Sequence, residues 1–475
     1  MAGTEVHFGS GVEGVGSLGG LFAWQRLRLL FAVGVNRRAF LKAGSSAAAL
    51  LLSHPAWCVA KEGPKPTDGE ILVQCGERIE RHRKGDGAII VRDARGKPVK
   101  GVKVRVEQLR HDFLFGSNFF MFGHCGNPEL EAQYRQRFSG LLNYCTLGFY
   151  WASYEHERGK PNYEYTDQVV AWTREHGITA KGHPLVWDHP AGSPSWLPDD
   201  PKEIERLSTG RVRDIVSRYQ GRIDIWDVVN EATHLANKPN KTKMADWAAS
   251  LGAVPYVKEH LKVARAANPS ATLLVNDYRI EPAYYHILDG LRENGKPLFN
   301  CVGIQSHMHN GVWPFHKVWD TCDTYSKLGL PLHFTESTIL SGERKGPGEN
   351  WGPTTTEGEA RQAFVTPKFY TVLFAHPAVQ AITWWDFSDL GAWQGAPAGW
   401  LRRDMSPKPV YDELMSLIKS EWWSDAEATT DSRGKVKVCA FYGTHRITVR
   451  APGGEPMTKE VHWERGGKNR FEVSA

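Results

Sequence analysis

A (β/α)8 barrel of the TIM type, with a small accessory β-sandwich built from the chain segments on either side of it, is the architecture this sequence predicts. Three observations lead to it. Between residues 113 and 424, short apolar runs alternate eight times with helix-patterned segments, the rhythm of strand–helix units in a parallel sheet. Polar and aromatic residues gather at the C-terminal ends of those runs, where a barrel carries its functional groups. The segments before 113 and after 424 instead alternate apolar and polar residues one by one, as half-buried strands do.

The chain of 475 residues is long enough for a large core. Its 41% hydrophobic and 23% charged residues are those of a globular protein. Of the formal charge of +5, +3 lies before residue 61, and the small remainder predicts no nucleic-acid partner. Eighteen tryptophans are many; such rings fill cores and also stack on sugar faces. Seven cysteines, at 58, 75, 125, 145, 301, 322 and 439, form no CxxC pair, so neither a zinc knuckle nor a disulfide framework is expected. No GxGxxG follows an apolar run, which disfavours a dinucleotide-binding sheet. No cofactor and no metal site are predicted.

Taken in order, the chain opens with residues 1–60, an N-terminal extension and export signal. Asn36-Arg37-Arg38-Ala39-Phe40-Leu41-Lys42 precedes a soft apolar run from Ala43 to Leu52 and small residues near Ala56 and Ala60, a leader of twin-arginine type. The run is far shorter than the ~20 residues a membrane span needs. The leader predicts an exported protein, periplasmic or extracellular, whose first partner is the export machinery. Residues 1–35 place the arginine pair unusually far from Met1; a start at Val33 or Val35 would give a leader of ordinary length. Residues 61–69 read as a linker rich in Lys, Gly, Pro and Asp.

Residues 70–112 read as the first part of a β module and 425–475 as the second. In the first, 88–99 contains two strands around a Gly- and Pro-bearing turn, and Val102, Val104 and Val106 alternate with Lys103, Arg105 and Glu107. In the second, Val436, Val438 and Ala440 alternate again, as does His445–Arg450. The two parts together resemble small prealbumin-like sandwiches, so one module interrupted by the barrel is expected. Two separate decorations are the alternative.

Between them, strands are predicted over 113–118, 144–150, 178–187, 223–230, 272–277, 301–307, 331–336 and 379–386. Helices are predicted over 129–142, 164–176, 201–219, 255–267, 281–294, 316–328, 358–375 and 407–420. The fourth strand, Ile223–Asn230, is the most apolar and ends in Asn230-Glu231; the seventh ends in Thr335-Glu336. Two glutamates at two strand ends suggest paired carboxylates around one pocket, the requirement for cleaving a glycosidic bond. The other ends carry His183, Trp187, Asp188 and His189 (strand 3), Asn276, Asp277 and Tyr278 (strand 5), Gln305 and His307 (strand 6), and Trp385, Asp389 and Trp393 (strand 8).

At these residues the sequence resembles glycoside hydrolase family 10, the retaining endo-xylanases and their relatives. WDVVNEA (226–232) and HFTE (333–336) carry the resemblance, with HPLVW (183–187) and QSH (305–307) in register. It implies Glu231 as acid/base and Glu336 as nucleophile. It implies His183, Trp187, Asn230, Gln305, His307, Trp385 and Trp393 as sugar contacts, and a polysaccharide or oligosaccharide substrate with xylan as the default. The family's ENEMKW motif falls on Thr146–Trp151, where only Trp151 survives. The lost Asn and Lys normally bond sugar hydroxyls on the non-reducing side. Asp188 stands in place of a His, with His189 next to it, and Asp386 in place of a Gly.

Asn230 is expected to bond the sugar 2-hydroxyl, and His307 with Gln305 to hold Glu336 ionised, while burial or a neighbouring charge raises Glu231. Trp151, Trp187, Tyr278, Trp385 and Trp393 are expected to line the pocket. Asp188, His189, Asn276 and Asp389 are expected behind it. The charged, glycine-rich segment 341–351 would cover the pocket or meet a branched substrate. Three other readings stay open: another β-glycan or an aryl β-glycoside as substrate, a catalytically weak glycan-binding barrel, and a metal-dependent hydrolase built on His307-Met308-His309.

Overall fold

The computed structural model describes residues 65–474 apart from 238–239, 345–350 and 452–453. The export signal and residues 61–64 of the expected linker therefore lie outside the described residues, as does the middle of segment 341–351. Eight parallel strands close into a barrel. In chain order they are Leu114–Asn118, Tyr144–Gly148, Thr179–His183, Ile225–Asn230, Thr272–Asp277, Cys301–His307, Leu332–Thr338 and Val379–Trp384, hereafter barrel strands 1 to 8. Each pairs with its sequence neighbour, and strand 8 closes on strand 1 through Ala381–Leu114 and Trp384–Ser117. Sequence-adjacent pairing of this kind follows from right-handed strand–helix–strand crossovers.

Local chemistry sets the helix starts. Asn127 caps Pro128–Leu141, Asp200 caps Pro201–Tyr219 and Thr355 caps Thr356–Ala375, each side chain accepting from a first-turn N–H. The helix expected over 281–294 stops earlier, at Pro282–Gly290. Asn294 and Gly295 both take positive φ, 50° and 76°, and turn the chain into a two-residue hairpin, Arg292–Glu293 against Lys296–Pro297, the turn that Asn-Gly favours.

The accessory module is two facing sheets. One runs Asp425–Thr429, Lys103–His111, Gly443–Arg450, Met457–Trp463, all antiparallel; the other runs Lys435–Phe441, Lys84–Arg92, Arg470–Ser474. Segments from both flanks of the barrel thus pair within each sheet. Ile89, Val91, Val104, Val106, Val436, Ile447, Val449 and Trp463 fill the space between them, a core separate from that of the barrel.

Two expectations for this region need correction. Residues 68–83 form a helix, Asp68–Arg83, where β structure was expected from residue 70. Thr67 and Glu70 make a reciprocal capping box at its start. Ile71, Cys75 and Ile79 then recur every four residues as a buried stripe within the barrel's core cluster. The second expected strand around 98–99 is also absent: beyond the turn at residues 94–96 the chain makes one bridge, Arg92 to Pro98, because proline has no N–H for a ladder.

No helix among the described residues is long and apolar enough to cross a membrane. Gly87 lies beneath the indole of Trp463, whose Cζ2 would be 2.1 Å from an added Cβ, while Trp463 Nε1 donates to Gly85 O at 2.9 Å. Gly87→Val should therefore push the two sheets apart and destabilise the protein by about 1–3 kcal/mol. A lowered urea midpoint, with near-ultraviolet circular dichroism reporting Trp463, measures it.

Candidate active site

The strand ends surround one cavity of about 710 Å³. Glu231 and Glu336 both line it, with His183, Trp187, His189, Asn230, Tyr278, Gln305, His307, Trp385 and Trp393. These side chains come from strands 3 to 8 or the turns directly after them, so the parallel barrel directs all of them to one face. Trp393 and Tyr278 stand at the rim, 44% and 42% exposed, whereas Trp385 is 4% exposed and forms the floor.

Strand 4 delivers Glu231 through an irregular end. Its register with strand 5 shifts between Asp227 and Val229, and Glu231 itself takes φ 59°, a left-handed conformation that costs a residue with a Cβ of order 1–3 kcal/mol. The Glu231 amide donates to Asn276 O at 2.7 Å and holds that turn closed.

The two carboxylates are joined by amides. Asn276 Nδ2 donates to Glu336 Oε1 at 2.8 Å and to Asn230 Oδ1 at 2.8 Å. Gln305 Nε2 donates to the same Asn230 Oδ1 at 3.3 Å and to Glu231 Oε1 at 3.1 Å. Thr335 Oγ1 donates to Asn276 Oδ1 at 2.5 Å and so fixes which way that amide faces. With both incoming bonds on its oxygen, Asn230 keeps its NH2 as the group it presents to the cavity. Gln305 therefore serves Glu231, not Glu336 as expected. Glu336 is held by His307, whose Nε2 donates to Oε2 at 3.0 Å.

Behind this layer Lys181 and Asp227 are fully buried. Lys181 Nζ donates to Asp227 Oδ2 at 2.5 Å, and the same oxygen accepts from His183 Nδ1 at 2.8 Å. His183 Nε2 is then 3.8 Å from Glu336 Oε1. On the other side, Trp187 Nε1 donates to Glu231 Oε2 at 3.2 Å. His234 Nδ1 is 3.8 Å from that oxygen, and its Nε2 meets Asp188 Oδ1 at 2.9 Å.

These surroundings drive the two acids apart. Burial, then the charges of Glu336 and Asp277, push Glu231 up to about 8 against the opposing His234 and the Gln305 bond. Burial also pushes Glu336 upward. There the charge of His183, the bond and charge of His307 and the charge of Lys181 outweigh it, and Glu336 stays below the ordinary carboxyl value. One group thus holds a proton near neutrality while the other is an anion, the division that acid/base and nucleophile chemistry requires.

Other expected residues are placed as follows. His189 stacks on Trp187 at the cavity edge. Asp188 holds His234 and accepts from Asn240 Nδ2 at 3.1 Å, away from the cavity. Asp389 is taken up by Lys408 Nζ at 2.8 Å and Gly399 N at 2.9 Å, and braces the loop after strand 8. Trp151 is a correction: it does not reach the cavity. After strand 2 the chain enters one helical turn, Trp151–Tyr154, which swings the Trp151 indole outward. There its Nε1 donates to Glu155 Oε2 at 2.8 Å and its ring lies under Arg211. Tyr150 lines the cavity instead, with Phe120, Trp313 and Asp386. His234 was missed, though its position three residues after Glu231 is a signal in the sequence. Lys181 and Asp227 were also readable as charges inside apolar strands. Among the described residues no cluster of three His, Cys, Asp or Glu side chains is arranged to hold a metal ion; His309 Nδ1 lies 3.4 Å from Thr338 Oγ1.

A closed parallel barrel with two glutamates at the ends of its fourth and seventh strands has the paired-carboxylate arrangement of the glycosidase class. The chain belongs to glycosyl hydrolase family 10, whose profile matches residues 115–417. Among curated relatives, endo-1,4-beta-xylanase B of Thermotoga neapolitana is 27% identical over 326 residues, 65% of this chain and 88% of that protein. Anti-sigma-I factor RsgI6 of Acetivibrio thermocellus is 25% identical over 407 residues, 83% of this chain and 48% of that protein. The chain thus spans about half the length of that relative, and 38% of endo-1,4-beta-xylanase 1 of Arabidopsis thaliana. In fold it is similar to xylanase 10B of Thermotoga petrophila, solved with xylobiose, with TM-score 0.55 and 23% identity over 65% of this chain and 95% of that one.

Glu231 binds its proton more tightly folded, at about 8, than unfolded, at about 4.3. Its contribution to stability is therefore fully present below the unfolded value and is lost as pH rises through about 8. Glu231→Gln removes this dependence. The variant should gain thermal midpoint over the parent at about pH 9 and gain much less at about pH 5, as a pair of calorimetric scans would show.

Proposed function

We propose that this protein is a retaining glycoside hydrolase that cleaves internal β-1,4 linkages of xylan or a related plant β-glycan by double displacement. The observation that carries the reading is the opposed ionisation of Glu231 and Glu336 across one cavity lined with aromatic rings. In this reading Glu336 attacks the anomeric carbon while Glu231 protonates the leaving oxygen. Glu231, now a carboxylate, then takes a proton from the water that releases the sugar from Glu336. Asn230 offers its NH2 to the 2-hydroxyl. Trp187, Trp385 and Trp393 stack on or border the sugar rings, with Tyr278 at the rim.

A second reading, hydrolysis of another β-glycan or of aryl β-glycosides, is favoured by one departure. Leu147 and Tyr150 occupy the positions where the family resemblance places sugar-binding Asn and Lys, and Leu147 opens on a neighbouring cavity of about 270 Å³. Residues 1–60 are proposed to direct export to the periplasm or beyond. The segments flanking the barrel are proposed to form one structural module.

The test is a panel of xylan, arabinoxylan, mixed-linkage glucan and aryl β-glycosides. Glu336→Gln should reduce turnover to background, and Glu231→Ala should lower it on polysaccharide by about 10²–10⁴-fold. Proton NMR of the first product should show a retained β anomer; an inverted product, or normal turnover by Glu336→Gln, defeats the assignment. With Glu231 as the acid at about 8, kcat/KM should fall on an alkaline limb near that pH, and a limb that persists unchanged in Glu231→Gln would belong to another group.

A further inference from the structure

A third carboxylate reaches the cavity, and catalysis as proposed does not use it. Asp386 follows strand 8 directly, lines the same cavity as Glu231 and Glu336, and is 8% exposed. It takes φ 79°, a conformation in which glycine is at ease and a side chain is strained. A residue both strained and desolvated at this place calls for a reason beyond packing.

Its two oxygens are half used. Oδ1 accepts from Asn118 Nδ2 at 3.0 Å and Oδ2 from Trp393 N at 2.7 Å. An ionised carboxylate has about four acceptor positions and no donor, so each oxygen keeps one. Burial pushes its pKa up to about 6, with the Asn118 and Trp393 bonds and the charge of His307 opposing, so it is an anion at neutral pH.

The same cavity is walled by aromatic rings. Phe120 meets Tyr150 edge-on at 5.9 Å and Trp385 at 5.2 Å. His183 meets Tyr150 at 5.6 Å and Trp385 at 5.5 Å, also edge-on. The four rings close on one another. Where the family resemblance places an amide and an ammonium, the chain has Leu147, which opens on the neighbouring cavity, and Tyr150, which lines this one. At Asp386 the cavity gains a carboxylate acceptor where the resemblance has a glycine.

We infer that Asp386 is a specificity-determining residue that accepts hydrogen bonds from free hydroxyls of the sugar this cavity holds. A pair of adjacent hydroxyls meets both oxygens at once. An O-acetyl or O-methyl group at either position brings no proton and leaves an acceptor position of a buried carboxylate empty; a uronate brings a second negative charge. Sites of this construction reject the analogue lacking the hydroxyl far more strongly than apolar pockets reject a methylene. The substrate class is therefore an unsubstituted β-glycan stretch at this subsite, an inference that rests on the glycosidase reading above.

The experiment compares linear xylo-oligosaccharides with the same oligosaccharides chemically O-acetylated, on the parent protein, Asp386→Gly and Asp386→Asn. Glycine suits φ 79°, so Asp386→Gly should fold, and circular dichroism checks that it has. The parent should prefer the free oligosaccharides in kcat/KM. In Asp386→Gly that preference should shrink by about tenfold or more, through a raised KM on the free sugars with acetylated ones little affected. Asp386→Asn should fall between. If both substrates decline together with the preference unchanged, Asp386 merely holds the Trp393 loop and the inference is overturned; it is equally overturned if nothing changes. If the parent turns over neither substrate, the glycosidase reading itself fails and takes this inference with it, an outcome distinct from turnover with unaltered preference.

Discussion

A chain of three side-chain amides holds the site together. Asn276 and Gln305 both donate to the one carbonyl oxygen of Asn230, and each spends its other N–H on a different glutamate. The pair Glu231 and Glu336 is thereby set at a distance neither strand alone could fix. Each link depends on a separate barrel strand, so the arrangement exists only when strands 4, 5, 6 and 7 lie side by side. The closed sheet is what makes the bonds possible, and a buried amide with both hydrogens used leaves little freedom for the carboxylates it holds.

The same layer sets the charge of each acid. Fully buried beneath it, Asp227 turns His183 toward Glu336, and Lys181 adds positive charge on that side. Glu231 has the charge of His234 and the Gln305 bond drawing its proton off. It faces Asp277, itself raised chiefly by burial, and Glu336, so desolvation prevails there and the proton stays. Two residues of one type acquire opposite behaviour because one shares its burial with cations and the other with anions.

Much of the barrel was legible because its signals are local. Short apolar runs bounded by Asn, Asp, Thr and Pro caps correspond closely to the eight strands and their helices, and Val102, Val104 and Val106 do turn inward while Lys103, Arg105 and Glu107 turn out. Reading failed where one residue's rotation mattered. Trp151 was expected in the pocket and Tyr150 was not, because a single helical turn after strand 2 exchanges the face that each presents. Helix Asp68–Arg83 was hidden for a different reason: its stripe of Ile71, Cys75 and Ile79 is thin, and its stability comes from burial against the barrel rather than from propensity.

The amino-acid sequence by itself determined the order and kind of the barrel's elements, the glutamates at the ends of strands 4 and 7, and the departures at Leu147, Tyr150 and Asp386. These depend on periodicity, capping and residue identity, which act over a few neighbours. Only the tertiary structure decided that Gln305 serves Glu231, that Tyr150 replaces Trp151 at the cavity, and that one glutamate is protonated near neutrality and the other is not. Those outcomes depend on desolvation and on charges brought within a few ångströms from segments about a hundred residues apart in the chain, and strength of that kind is a property of distance in space.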